Sequence, residues 1–508
     1  MIQRKMHAYK LKPVFCLAGV TKTVVRTATV NATQTDKLPV KSCKDIPGPS
    51  SLPLVGPMLH FLPGGDMHNL AAFEFGEALY KKYGPIVKLS GSFGRDDIYL
   101  LFDAEASAQV LRSENWLPTR PGMESLVYYR KSKKKSDQPT GLVSDQGEHW
   151  KQFRSTVNPV MLQPKTIKLY RNALDEVALD MVKRMKSNRG DDNILKGKFD
   201  MEMNLWSLES IGLVALGRRL NCFDPNLPPD SPAKKLIQVV RDIFEAANDL
   251  DFKPSLWRYY STKAFKNAMR VYEEQEKIAK YFIDKTIQDL KSGCKTKPDD
   301  EKGVLEKLLD INEDVALIMA SDMLLAGVDT TSNTMTATLY LLANNQERQD
   351  KLREEILSKS EKRTYLKACL KESLRMMPVV TGNARRSTKD YTLLGYHIPK
   401  GSTITFMHQA MSILEEYYPR PKEYLPERWI VGKDDPLFHG NSHPFAYNPF
   451  GFGVRSCIGR RIAELELETF LYRLIENFKV EWFGAPIQAT ASSLNYITGP
   501  YNFVFKDV

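Results

Sequence analysis

The sequence predicts a mostly helical domain with a small β component, and three observations predict it. Helical periodicity of apolar residues dominates from Thr166 to Leu309. A long, mostly apolar stretch follows from Val315 to Leu342. Strand-like alternation is confined to short pieces, Ile86–Leu89 with Ile98–Phe102 and the region Tyr391–Phe406. With 508 residues, 42% of them hydrophobic and 10% aromatic, the chain can bury a large core and a cofactor within it.

Taken in order, the chain opens with a basic address. Arg4, Lys5, Lys10, Lys12, Lys22 and Arg26 lie among Thr, Ala and Val, and no acidic residue occurs before Asp36. That composition is expected of a mitochondrial transit peptide. Its longest apolar run, Val14 to Val20, is far short of the ~20 residues that span a bilayer. Of the net charge of +11, a surplus of +7 lies in residues 1–45, so the basicity is not that of a nucleic-acid-binding domain. The six cysteines show no C-x-x-C spacing and no disulfide framework, which points to a reducing compartment. The segment Ile46-Pro47-Gly48-Pro49 to Gly56 reads as a stiff, extended lead-in. The chain is therefore divided into a transit peptide and linker, residues 1–45, and a catalytic domain, residues 46–508.

A helix is expected over Phe73–Tyr83, and then the hairpin Ile86–Phe102. The dense basic run Lys131-Ser-Lys133-Lys134-Lys135 reads as a solvated loop. The helical region is broken near Asn226–Pro232, where prolines cluster. Val315–Leu342 could be mistaken for a membrane span, but Asp322 and Asp329 in its interior make that costly. The short strands after Tyr391 turn at Gly395 and at Pro399-Lys-Gly401, and a last helical pattern starts at Arg460.

The chemistry concentrates in Phe450-Gly-Phe-Gly453-Val-Arg455-Ser-Cys457-Ile-Gly459. One cysteine sits in a glycine-kinked loop, beside an arginine and just before a helix. Helix N–H groups and a cation both favour the thiolate, and a lone thiolate suits haem iron as an axial ligand. The second element is Ala326-Gly327-Val328-Asp329-Thr330-Thr331 inside the long apolar helix. Small residues there let a flat ligand approach the backbone, and a threonine hydroxyl can bond back to the i−4 carbonyl. A third, Glu372-Ser-Leu-Arg375, places opposite charges on one helix face.

Together these motifs resemble the cytochrome P-450 family across residues 46–508. Phe450, Gly453, Arg455, Cys457 and Gly459 match its F-x-x-G-x-R-x-C-x-G haem loop. Ala326 to Thr330 match its oxygen-binding helix, and Glu372, Arg375 and Pro426-Glu-Arg428-Trp429 its E-x-x-R and P-E-R elements. The resemblance implies a single large haem-binding domain of that fold, with haem b ligated by Cys457 and bordered by Phe450, Gly459 and Ala326. It implies proton delivery by Thr330 and Asp329, and a buried, structural Glu372–Arg375–Arg428 network. Trp150 and Arg154, from the family's W-x-x-x-R helix, together with Arg385 and Arg455, would hold the propionates; a one-residue register shift would put Arg386 in the place of Arg385.

The continuation Gly459-Arg460-Arg461-Ile-Ala463-Glu464-Leu-Glu466 is similar to the mitochondrial class, which takes electrons from NADPH through a reductase and a small acidic [2Fe–2S] ferredoxin. Lys367, Lys371 and Arg461 would dock that ferredoxin. The expected activity is insertion of one oxygen atom from O2 into a lipophilic substrate, by an enzyme peripheral to the matrix side of the inner membrane. The segments Trp116–Gly122 and Ser155–Lys165 resemble an insect branch associated with xenobiotic metabolism; an ecdysteroid hydroxylase is the alternative within the class. A redox-independent haem-thiolate isomerase is the alternative outside it, and such relatives typically lose the threonine that stands here at 330. By the same resemblance the substrate pocket draws on residues 115–140 and 225–255, Val379–Gly382 and Ile497–Gly499.

Overall fold

A computed structural model describes residues 39–508 apart from 69, 134–137, 196–198, 293–297, 299 and 491–492. The transit-peptide reading of the N-terminus falls largely on residues 1–38, outside the described residues. The described compact unit begins at Val40.

The architecture is mainly helical, with strands confined to short pieces. At its centre is the helix Glu313–Ala343, the stretch expected over Val315–Leu342. Asn312 caps it, its side-chain oxygen accepting from Val315 N at 2.9 Å. The helix is apolar enough to cross a membrane, but its apolar residues are buried against other helices. It packs along Phe199–Leu216, apolar almost all round, as a helix buried on every side must be. Gly327 permits that approach: a Cβ there would lie 2.4 Å from Ile211 Cγ1. Helices Lys263–Ser292, Thr364–Met376 and Arg460–Asn477 complete the packing around it. Within the expected helical region the chain forms Arg171–Asn188, Phe199–Leu216, Pro232–Ala247, Lys263–Ser292 and Val304–Ile311. The break falls between Leu216 and Pro232, where the prolines predicted it.

The hairpin is present as Ile86–Leu89 paired antiparallel with Ile98–Leu101. It is extended to four strands by Thr403–Phe406, parallel to Ile98–Leu101, and by Asn383–Arg386. The proline-rich lead-in is bound to this sheet: Lys88 N donates to Pro47 O at 2.8 Å, and a Cβ on Gly48 would sit 2.0 Å from Lys88 O. The basic run does not begin as a loop. Lys131 and Lys133 form the last turn of helix Glu124–Lys133, where cations complement the carbonyl end of the dipole. Lys134 and Lys135 lie outside the described residues. Near the C-terminus two further hairpins, Phe478–Trp482 with Phe503–Asp507 and Gln488–Thr490 with Tyr496–Gly499, carry residues up to the central helix.

Candidate functional site

The cysteine loop is built on two left-handed glycines, Gly451 at φ +72° and Gly453 at φ +69°, a conformation that side chains resist. They fold the loop back so that Cys457 N donates to Phe450 O at 2.8 Å. The helix Arg460–Asn477 starts three residues beyond the thiol, with Gly459 at its N-cap position. Cys457 is a free thiol that remains accessible. Its surroundings pull in two directions. Burial of the site pushes its pKa up, while the Gly459 N–H and the guanidiniums of Arg154, Arg120 and Arg460 pull it down.

The arginine next to Cys457 in sequence is not the cation that serves it. Arg455 turns away and donates to Pro118 O at 3.1 Å, Asp145 O at 3.2 Å and Gln146 Oε1 at 2.6 Å. Its guanidinium lies 3.8 Å over the Trp150 ring. Arg455 thus ties the cysteine loop to the segment 118–146, and most of its donors are already used. The guanidiniums around the thiol come from elsewhere in the chain, which adjacency in sequence could not reveal.

Arg154 and Trp150 share one face of the helix Gly147–Met161, both buried. Arg154 Nη2 donates to Ser456 O at 3.0 Å, but its Nε is buried with no partner. Burial lowers its pKa to about 10. Arg385, 2% exposed on strand Asn383–Arg386, lies 2.7 Å from Glu114 Oε1 and donates to Phe452 O at 3.1 Å. Arg386 points outward to Asp96, so the register sets Arg385 in the site. Arg120 joins this group although sequence reasoning gave it no role in binding. Its backbone is fixed to Gln146 in both directions, and no protein partner holds its guanidinium among the described residues. Arg455 is pushed down to about 9 by burial and then by the charges of Arg120, Arg385 and Arg154. Four guanidiniums that disfavour one another, beside an accessible thiol, form a site short of negative charge. A flat iron-bearing ligand with two carboxylates fits it: carboxylates match the forked donors, and the thiolate matches the metal.

On the central helix Ala326 and Thr330, one turn apart, form an accessible stripe on an otherwise buried element. Thr330 Oγ1 donates to Ala326 O at 2.7 Å, the i−4 back-bond that the sequence suggested. Gly327, grouped with Ala326 as a surface for a flat ligand, instead faces Ile211 of the packed helix, because it is turned about 100° away. Asp329 is 1% exposed and also points away from the stripe, its Oδ2 accepting from Tyr496 at 2.5 Å. Burial raises its pKa to about 6, against the pull of Tyr496 and Arg241.

Glu372, Arg375 and Arg428 form the buried network that the motifs imply, all 0% exposed. Arg375 Nε and Nη2 grip Glu372 at 2.9 and 2.8 Å, and Arg428 Nε donates to Glu372 Oε1 at 3.0 Å. Trp429 Nε1 and Leu425 N also donate to this carboxylate, at 2.9 and 3.1 Å. Trp429 packs on Tyr447, 4.8 Å between rings, which joins the network to the chain entering the cysteine loop. Lys367 and Lys371 lie exposed on the same helix as Glu372, Lys371 over the Trp429 ring. Arg460 and Arg461 are exposed at the start of the helix that follows Cys457, and Arg461 donates to Leu162 O.

The family model for cytochrome P-450 matches residues 46–503. Cytochrome P-450 CYP12A2 of Musca domestica is 38% identical over 100% of both chains. The probable mitochondrial cytochromes P-450 12a5 and 12b2 of Drosophila melanogaster are 39% and 34% identical, covering 88% and 92% of this chain and 88% and 90% of their own. The chain therefore belongs to the cytochrome P-450 family, monooxygenases that act on lipophilic substrates with O2 and a cysteine-ligated haem.

Proposed function

We propose that this cytochrome P-450 works in mitochondria, drawing two electrons from NADPH through ferredoxin reductase and a [2Fe–2S] ferredoxin, and that it oxidises a range of lipophilic xenobiotics. When bound, the haem supplies activation of O2, with one oxygen atom going to the substrate and the other leaving as water. Cys457 would ligate its iron. Trp150, Arg154 and Arg385, with Arg120 added from the structure, would take the propionates, and Arg455 would hold the loop in place beneath them. Phe450, Gly459 and Ala326 would border the ring. Thr330 and Asp329 would manage protons on the accessible face of the central helix. The observation that carries this reading is the accessible Cys457 thiol set against arginines that lack counter-charge. The retained Thr330, back-bonded and accessible, favours oxygen chemistry over a redox-independent isomerase.

Lys367, Lys371 and Arg461 would receive the acidic ferredoxin, and their exposure close to the cysteine loop supports it. Peripheral membrane contact rests on an apolar surface. Leu54 is 78% exposed and Tyr259 67%, and both are fastened to Phe93, through Phe93 N to Leu54 O and Tyr259 OH to Phe93 O. Phe252 and Tyr260, also exposed, flank Tyr259 in sequence, and such a patch suits a lipid surface.

The test is reconstitution with mitochondrial ferredoxin, its reductase and NADPH, on ecdysteroid precursors beside unrelated lipophilic xenobiotics. Turnover of several xenobiotics supports the proposal. Clean hydroxylation of one steroid position would move the enzyme to hormone synthesis, and turnover that needs no NADPH would overturn the monooxygenase chemistry.

A further inference from the structure

The carboxyl that the proposed function assigns to proton delivery is not hydrogen-bonded to Thr330. It is held on the far side of the helix, over a second, polar cavity of about 20 Å³. That is room for one water. Asp200, Arg241, Asp329, Asn333, Tyr496 and Tyr501 are among its lining residues. Arg241 leads outward: it is partly exposed, 3.3 Å from Asp200 and 3.6 Å from Glu245. Tyr496 leads inward, donating to Asp329 Oδ2, while Asp329 Oδ1 is buried with no partner. The strand that carries Tyr496 is itself bolted to the central helix, since Ile497 N donates to Asn333 Oδ1 at 3.0 Å and Asn333 Nδ2 donates to Asp329 O at 2.8 Å.

An unpartnered carboxylate oxygen at a water-sized polar cavity is a proton acceptor in waiting. Asp329 precedes Thr330 directly, so rotation of its side chain moves that oxygen between the two faces of the helix. Resting on the assignment of Asp329 and Thr330 as the proton relay, we infer that the cavity between Arg241 and Tyr496 is the proton inlet, and that Tyr496 is a positioning residue that parks Asp329 over it. A proton from water in the cavity adds to Asp329 Oδ1. The carboxylic acid then gives it to Thr330 Oγ1 as the hydroxyl releases its own proton toward the haem side. Asp329 returns as a carboxylate to the Tyr496 hydrogen bond. Ionised groups facing Asp329 are Arg241 and Glu245 on one helix and Asp200 on another; Tyr496 and Tyr501 face it as neutral phenols.

The experiment is infrared titration of the ferric holoenzyme, with the Asp329 carboxyl band identified by its loss in Asp329→Asn. Tyr496→Phe removes a hydrogen bond that favours the carboxylate, so the band's midpoint rises by about one pH unit, a tenfold change in proton affinity. Arg241→Gln moves it in the same direction. Tyr501→Phe, whose hydroxyl donates instead to Ile497 O, leaves it in place. An unmoved midpoint in Tyr496→Phe overturns the inference, and so does an unmoved midpoint in Arg241→Gln should the tyrosine variant not fold. If Asp329→Asn keeps the wild-type pH profile and yield of product per NADPH, the relay assignment itself fails, and the inference with it.

Discussion

Replacing Glu372 by glutamine tests the bracing network by its charge alone. The substitution keeps volume and two polar termini, but leaves Arg375 and Arg428, each 0% exposed, with no counter-ion. Removing one partner of a buried pair costs roughly 3–5 kcal/mol, because the remaining charge is stranded. Here two guanidiniums share the loss. Their remaining contacts are carbonyls: Ser412 O for Arg375, Pro419 O and Arg420 O for Arg428. An amide cannot serve both arginines and also accept from Trp429 Nε1 and Leu425 N, as the carboxylate does. Against a total stability of about 5–15 kcal/mol, a loss at the upper end of that range leaves little margin. The assay is urea denaturation of holoenzyme, comparing midpoints at constant slope, with haem content followed in parallel. The control is Asp284→Asn, which breaks an exposed i,i+4 pair with Lys280 and should leave the midpoint where it was. Equal midpoints for Glu372→Gln and Asp284→Asn would refute the reasoning, since the buried pair would then carry no more than a surface one.

Further outcomes follow from the site and its faces. Arg120→Met should lower haem retention in dilution assays, yet raise the thermal midpoint of haem-free protein, because it removes an unpaired charge that repels Arg385 and Arg455. Lys367→Glu with Lys371→Glu should raise the apparent KM for ferredoxin severalfold and flatten the salt dependence of turnover, leaving the reduced carbon-monoxide spectrum unchanged. Glu466, 2% exposed, has its pKa raised by burial to about 8, above the usual 4.5. The folded state therefore holds a proton that the unfolded state has lost, so stability is greatest below about 4.5 and falls as pH rises to about 8. Glu466→Gln should flatten that decline in denaturation midpoints measured across the range.

What the sequence made legible was local. The cysteine loop, the back-bonded threonine and the Glu372–Arg375 pair lie within a few residues of each other in the chain, and backbone geometry alone brings their parts together. The helix ends were readable for the same reason, as at Asn312. Contacts made by long-range folding were less so. Arg455 is adjacent to Cys457 in sequence, but its donors are claimed by carbonyls of residues 118 and 145, more than three hundred positions away. Arg120 was noticed only as part of a branch signature, and only the fold sets its guanidinium beside the thiol. The C-terminal hairpin that delivers Tyr496 had no periodic signal strong enough to announce it. Arg241 sits on a helix whose charged face reads as an ordinary solvated one.

Three carboxyls around the central helix show how partner choice separates structure from chemistry. Asp322 is fully answered: Arg130 Nη1 donates to Oδ1 at 2.7 Å and Leu142 N to Oδ2 at 2.9 Å, which pins the helix to the segment after residue 138. Glu466 is barely answered, with Thr331 at 3.5 Å and Oε1 unpartnered, so burial keeps it protonated and it closes the contact between two helices as a neutral group. Asp329 stands between them. One oxygen is held by a neutral phenol and the other is free, with Arg241 near but committed to Asp200. Full pairing would fix it as a carboxylate, and isolation would fix it as an acid. Half pairing leaves both forms accessible near neutral pH, which a group that must take up and release a proton in each turnover requires.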